Sequence, residues 1–247
     1  MRFTLNDPPF AGHTGRGVVV AVLDSGIHAS HPHVGTVQGG ESFAGVSDGD
    51  CDDRIGHGTA VAAAIREKSP GADLLAVKVF DTQLATSVDV LARAIEWAAD
   101  QGARIINLSL GTANAAHASR LAAAADFAAE RGALIVSARE GNQIDWFPGS
   151  LAGVAGVVAD AACDRDSVEV MPGRDLIPGF RASPFPRPIP GVPRERNLSG
   201  VSFAVANVTG FLARAMEGAG RGAAWQTVVT ACRAEHPRQK GRRLDLH

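Results

Sequence analysis

Cysteine is scarce in this chain: Cys51, Cys163 and Cys232 are the three in 247 residues. They are odd in number, far apart, and match neither a zinc-binding nor a redox spacing. That excludes a disulfide scaffold and leaves the reading of reduced thiols in a cytosolic protein. Long apolar runs are also missing. No stretch of about 18 or more apolar residues occurs, which argues against a membrane span. The opening "MRFTLNDPPFAGHTGRG" lacks the apolar core of a secretory signal, so a cytoplasmic location is favoured over a secreted one. Charge of one sign is missing too. With Lys+Arg 24 and Asp+Glu 26 the net charge is -2, and no global field selects nucleic acid or an anionic membrane. No internal repeat is visible.

What is present suits one globular domain spanning 1–247, since 45% of the residues are hydrophobic and 20% charged. Runs at 17–24 ("GVVVAVLD"), 74–80, 103–110, 133–138 and 154–159 read as strands. They are continuously apolar rather than alternating, as strands covered on both faces are. Stretches at 58–68, 87–102 and 116–132 read as helices, with Gly102 and Gly132 as stops. The β-α alternation predicts an α/β fold with a mostly parallel central sheet and helices on both faces. The segment 181–197, "RASPFPRPIPGVPRERN", is rich in proline and arginine and is expected to be an extended surface loop.

In open α/β sheets chemistry gathers at the carboxyl ends of the strands. The first strand ends in "VLDSGI", which places Asp24 there. "RIGHGTAVAAAI" opens a helix with a glycine-flanked His57, and "INLSLG" ends a strand with Asn107, Ser109 and Gly111. "NLSGVSFAVANVTGFLARAME" sets Ser202 at a helix start. Taken singly, Ser202 is a helix cap, Asp24 a loop carboxylate and His57 a satisfied histidine. Taken together they hold a hydroxyl, a base to remove its proton, and an anion to orient that base.

The segments "DSGI" (24–27), "HGTAVA" (57–62), "SLG" (109–111) and "GVSFAVANVTG" (200–210), in this order, resemble the subtilisin-like serine proteases, the subtilases. "SPGADLLAVKVF" (69–80) and "VEVMPGRDL" (168–176) look like two further segments of that family. The resemblance runs from about Gly17 to Met216. It implies a subtilisin-like three-layer sandwich and a catalytic triad of Asp24, His57 and Ser202. It also implies an extended substrate paired along Ser109, Leu110 and Gly111, a binding mode that uses backbone hydrogen bonds.

Departures from the family pattern carry their own expectations. The family's oxyanion asparagine stands nine residues after the glycine preceding its strand. Nine from Gly132 is Gly141, and Asn142 comes one later. Either an insertion still delivers Asn142, or Arg139 and Glu140 stand at the strand end and the side-chain donor is missing. In subtilisin itself, losing one such donor costs about 3 to 4 kcal/mol of transition-state stabilisation. Val201 replaces a threonine beside the nucleophile, and Ala206 and Asn207 replace a proline and a histidine.

The acidic run "SDGDCDDRIG", with Asp48, Asp50, Asp52 and Asp53, offers hard oxygen ligands for calcium, but its spacing is not that of an EF-hand. No metal or cofactor is assigned. The partner is expected to be a peptide or protein, with neither nucleic acid nor membrane. The first catalytic strand begins near Gly17, leaving no room in this sequence for the family's long propeptide. That favours restricted specificity, such as leader-peptide removal in maturation of a ribosomally made peptide. The alternative is a catalytically weak or inactive peptide-binding scaffold. Loop arginines Arg181, Arg187, Arg194 and Arg196 are expected to recruit an acidic peptide.

Overall fold

The computed structural model describes residues 2–45, 49–141, 144–172 and 177–219. Its strands are β1 (Arg2–Thr4), β2 (Val19–Asp24), β3 (Val37–Ser42), β4 (Asp73–Lys78), β5 (Ile105–Leu108) and β6 (Leu134–Ala138). They continue with β7 (Glu140–Gly141), β8 (Ile144–Asp145), β9 (Ala155–Ala159), β10 (Ser167–Met171) and β11 (Gly179–Ala182). The helices are α1 (His57–Lys68), α2 (Val88–Asp100), α3 (Ala118–Glu130) and α4 (Val201–Gly218).

The main sheet runs β1-β10-β11-β9-β6-β5-β2-β4-β3. From β11 to β3 every neighbouring pair is parallel, while β1 and β10 add an antiparallel edge. Successive side chains point to opposite faces, so each apolar strand supplies two cores. Val20, Val22, Ile105, Leu134 and Val136 face the core shared with α1 and α4. Ala21, Leu23, Ile106, Leu108 and Ile135 face the core shared with α2 and α3. The three-layer α/β arrangement read from the β-α alternation is the one adopted.

From β2 the chain goes to the edge strand β3 and back to β4 on one side, then crosses to β5, β6 and β9 on the other. The crevice between β2 and β5 is therefore the topological switch point, where ligands gather at the strands' carboxyl ends. Helix α4 is buried on nearly every side, which its uninterrupted apolar sequence dictates. It packs on α1 at Gly210, where a Cβ would lie 2.5 Å from Lys68 Cβ and 3.1 Å from the Ile65 carbonyl. A glycine there lets the two helix axes approach closely, which fixes the spacing of their N-termini.

The proline–arginine segment departs from the expected surface loop at its start. Arg181 and Ala182 belong to β11, paired with Glu169 and Val168, and Ser183 and Pro186 are buried. Only the portion from 188 to 196 is continuously exposed, and it contains a 3-10 turn at Arg194–Arg196. Asn207 explains the anchoring. Its Nδ2 donates to the carbonyls of Ser183 (3.0 Å) and Phe185 (3.2 Å), tying the segment to α4.

The N-terminal segment is fastened by one carboxylate. Glu217 Oε2 accepts from the backbone N–H groups of Thr14 (2.6 Å), Gly15 (2.6 Å) and Arg16 (2.9 Å). Burial pushes the Glu217 carboxyl up, but these N–H donors outweigh it and hold it below the usual range. A depressed carboxyl contributes stability that is present above its unfolded pKa and lost as pH falls through the folded one. Glu217→Gln is expected to cost about 1 to 2 kcal/mol at neutral pH, with the difference from wild type shrinking below about pH 4. Urea midpoints at several pH values check this.

Candidate active site

Three chain segments meet at the carboxyl edge of the sheet. Asp24 ends β2 and is 1% exposed. His57 opens α1, and its Nδ1 lies 2.7 Å from Asp24 Oδ1. The carboxylate accepts there, so Nδ1 carries the proton and Nε2 keeps its lone pair. The same Oδ1 also accepts from Ser25 N–H at 2.8 Å. Burial pulls the His57 pKa down, but the hydrogen bond and charge of Asp24, with the charge of Asp53, raise it above the ordinary 6.5.

The close approach of α1 to β2 depends on Gly58. A Cβ there would sit 2.2 Å from the Gly26 carbonyl and 3.1 Å from Asp24 Cβ. The helix start is held by Asp53. Its Oδ1 accepts from Ser25 Oγ (2.8 Å), Ile55 N–H (2.9 Å) and Gly56 N–H (2.8 Å). Its Oδ2 accepts from Thr59 N–H (2.8 Å) and Oγ1 (2.6 Å). Burial pushes this carboxyl up, yet the Thr59, Gly56 and Ser25 donors hold it below the usual range. Asp53 thus caps a helix whose own N-cap, Gly56, has no side chain to offer.

Ser202 is the second residue of α4, so its backbone N–H has no intrahelical acceptor. Its hydroxyl donates to the Ser109 carbonyl at 3.0 Å, and Ser109 Oγ donates back to the Ser202 carbonyl at 3.2 Å. Behind them Asn107 Nδ2 donates to Ser109 Oγ (2.9 Å), and Thr209 Oγ1 donates to Asn107 Oδ1 (2.9 Å). Asn107 and Thr209 are fully buried. This relay ties the end of β5 to α4 and fixes where the Ser202 backbone stands.

His57 and Ser202 line one cavity of 840 Å³, together with Ser109, Leu110, Gly111, Ala138, Glu140, Trp146 and Val201. The walls are mainly apolar. Glu140 and Trp146 belong to the β7–β8 hairpin segment, which therefore forms one wall. Asn142 lies outside the described residues. Arg139 does not line this cavity. Its aliphatic stem crosses Gly156, its guanidinium reaches Gly179, and Nη1 donates to the Pro172 carbonyl at 3.1 Å.

The acidic run is engaged internally. Asp50 and Asp81 pair with Arg54, Asp52 faces His28, and Asp53 caps α1. Among the described residues no three such side chains converge as a metal site, and Asp48 lies outside them. Burial, the largest influence, pushes the Cys51 thiol up to about 11, so it is protonated and not a nucleophile at neutral pH. Cys163 is a buried free thiol, and Cys232 lies outside the described residues. No helix among the described residues is long and apolar enough to cross a membrane.

Sequence reasoning gave no role to Asn107, Thr209 or the cap made by Asp53. A polar residue inside an apolar strand (Asn107) and one inside an apolar helix (Thr209) were the available signal, because buried polar groups need partners.

The model of the subtilase family matches residues 15–164. A thermostable alkaline protease from Halalkalibacterium halodurans is 40% identical over 157 residues, 60% of this chain and 43% of that protein. Subtilisin Savinase from Lederbergia lenta is 41% identical over 110 residues, 41% of this chain and 40% of that protein. The chain thus spans less than half the length of these curated relatives. Among solved structures, sphericase is similar with a TM-score of 0.70 and 25% identity, covering 88% of this chain and 82% of that one. A structure described as a lanthipeptide protease also gives a TM-score of 0.70, at 19% identity over 86% of this chain and 78% of that one. These likenesses agree on a subtilisin-like fold.

Gly58→Ala is expected to push α1 away from β2 and break the His57–Asp24 bond. The cost should be about 1 to 3 kcal/mol, the usual scale for overpacking. Thermal melts check the stability. Loss of a low-field proton resonance assigned to His57 Nδ1–H checks the geometry.

Proposed function

The chain belongs to the subtilase family, and from that premise we propose that it is a serine endopeptidase acting through Asp24, His57 and Ser202. One observation carries the reading: a buried carboxylate 2.7 Å from a histidine that shares a cavity with the hydroxyl at a helix start. Ser202 Oγ swings from the Ser109 carbonyl toward His57, gives its proton to Nε2, and attacks the scissile carbonyl carbon. Asp24 holds the tautomer and stabilises the imidazolium that forms. The oxyanion is met by the Ser202 N–H and the positive end of α4. His57 then passes its proton to the leaving amine, and water hydrolyses the acyl-enzyme by the same route. The substrate's residues before the cut lie extended along Ser109, Leu110 and Gly111.

The substrate is proposed to be a peptide of restricted sequence, such as the leader of a ribosomally made precursor. Supporting this are Glu140 and Trp146 in the cavity wall, Val201 beside the nucleophile, and the fold likeness to the protein described as a lanthipeptide protease. A second reading, a weak or inactive peptide-binding scaffold, is favoured by Glu140, whose carboxylate in the cavity would repel an oxyanion. Asn142 is proposed as the side-chain donor that offsets it.

Labelling by a fluorophosphonate separates these readings. Wild type is expected to take one label and Ser202→Ala none; an unlabelled wild type would sink the protease reading. Only neutral His57 serves as base, so the labelling rate should fall as pH drops, with a midpoint above the ordinary 6.5. In Asp24→Asn the larger raising influence is gone, leaving burial opposed only by the charge of Asp53. The midpoint should then move downward, and the rate should drop by up to about 10⁴-fold.

Asn142→Ala is expected to lower kcat by about 100-fold or more with KM nearly unchanged, because the donor acts in the transition state. Steady-state kinetics on a peptide amide measure the split, and an equal effect on KM would remove Asn142 from the oxyanion site.

A further inference from the structure

A second cavity, of 440 Å³, lies beside the first and shares none of its lining residues. The two adjoin along the chain. Gly56 borders the second where the next residue, His57, borders the first. Leu198 borders the second where Val201 and Ser202 border the first. Ser109–Gly111 lines the first cavity alone. A substrate held along Ser109–Gly111 that crosses Ser202 and continues past Leu198 reaches the second cavity.

The lining is apolar in its walls and cationic in its free charge. Ala60 and Ala63 of α1 form one wall; Pro186, Ile189 and Leu198 form the other. Ile189 and Leu198 are 47% and 54% exposed, unusual for large aliphatic side chains. Asp53 is part of the lining, but both its oxygens are taken by the cap of α1. Arg187 is different. No carboxylate of the described residues pairs with it, whereas Arg181 pairs with Glu169 and Arg194 lies over the Phe185 ring. His28, His31 and His33 add three imidazoles to the same lining. Burial, then the charge of Arg187 and that of His31, hold the His33 pKa below its ordinary value.

The frame is firm. Asn197 Nδ2 donates to the Arg187 carbonyl at 3.2 Å, and Gly200 N–H donates to the Pro184 carbonyl at 2.9 Å. With Asn207 beneath, the segment that carries Arg187 is tied at both ends. An arginine with no carboxylate partner among the described residues, in the lining of a mainly apolar groove, suits one kind of ligand, a side-chain carboxylate with an aliphatic neighbour.

We propose that this second groove binds the part of a peptide substrate that follows the cut bond, as an extended segment with an acidic residue on Arg187 and an aliphatic one against Leu198 and Ile189. The inference rests on the protease reading for its direction across Ser202. It narrows the broader expectation that all four loop arginines recruit substrate: Arg187 is the reader, Arg181 and Arg194 are engaged elsewhere, and Arg196 does not line this groove.

The test uses fluorescent alanine–leucine peptides differing in one position, glutamate or glutamine, and the full chain carrying Ser202→Ala so that nothing is cleaved. Anisotropy should show the glutamate peptide bound about tenfold more tightly. Arg187→Gln should bring the pair to parity, and Arg187→Lys should restore part of the preference; thermal melts confirm that each variant is folded. Equal binding of the two peptides, or a preference that survives Arg187→Gln, would overturn the proposal. Direction is read with active protein and internally quenched peptides in which the glutamate is moved across the cut. A higher kcat/KM with glutamate after the cut supports the assignment, and the reverse order overturns it. If fluorophosphonate does not label the protein, the protease reading fails, while the anisotropy result still judges the groove.

Discussion

The 2.7 Å bond between His57 and Asp24 is the contact on which the rest of this structure depends. Burying a carboxylate with 1% exposure costs several kcal/mol unless it is paired and hydrogen-bonded. Asp24 Oδ1 is satisfied by His57 and by the Ser25 N–H, while buried Oδ2 has no partner among the described residues. The site therefore keeps a nearly dry negative charge aimed at one imidazole. Pairing of β2 in the middle of the sheet and the approach of α1 over Gly58 together make this possible. A protein selected only for stability would have little reason to keep such an arrangement, since apolar replacements of buried ion pairs are often at least as stable.

The position of Ser202 is set by a separate set of constraints. Two long apolar helices, α1 and α4, lie on the same face of the sheet and touch where Gly210 allows it. Because the parallel strands all point one way, the N-termini of both helices arrive at the carboxyl edge. His57 and Ser202 each sit within the first two residues of their helix. The relay Thr209–Asn107–Ser109 then fixes the start of α4 against the end of β5. His57 and Ser202 are thus carried by rigid elements that bring both to one cavity.

The central strands and helices were legible in the sequence because their apolar runs are long and their stops are glycines. The edge was not. β1 and β10 are short and pair across more than 160 residues, which no local pattern announces. β3, "VQGGES", has two glycines and polar ends, and becomes a strand only through its partner β4. At the site, Asp24, His57 and Ser202 stood out because each lies in a glycine- or serine-flanked segment at an element boundary. Asp53 read as one acid in a run of four, and its role as a cap depends on a turn that brings it back over Thr59. Asn207 read as a departure from a family pattern, and its role depends on where the chain passes at Ser183 and Phe185.

That acidic run shows how charge is used away from the chemistry. Lys78, fully buried at the end of β4, donates from Nζ to the Asp52 carbonyl at 2.7 Å and lies 3.2 Å from Asp81. Arg54 bridges Asp81 and Asp50 in turn. The loop is therefore clamped on both sides of Asp53, which holds the start of α1. At the other end of the same helix, buried Lys68 reaches Asp166 at 2.6 Å, and Glu67 pairs with Arg165. Two buried ammonium groups are costly to desolvate, and each is retained where it fixes one end of the helix that carries His57. These pairs tie the loop before α1 and the end of α1 to their neighbours, so the helix that sets His57 beside Asp24 is held at both ends.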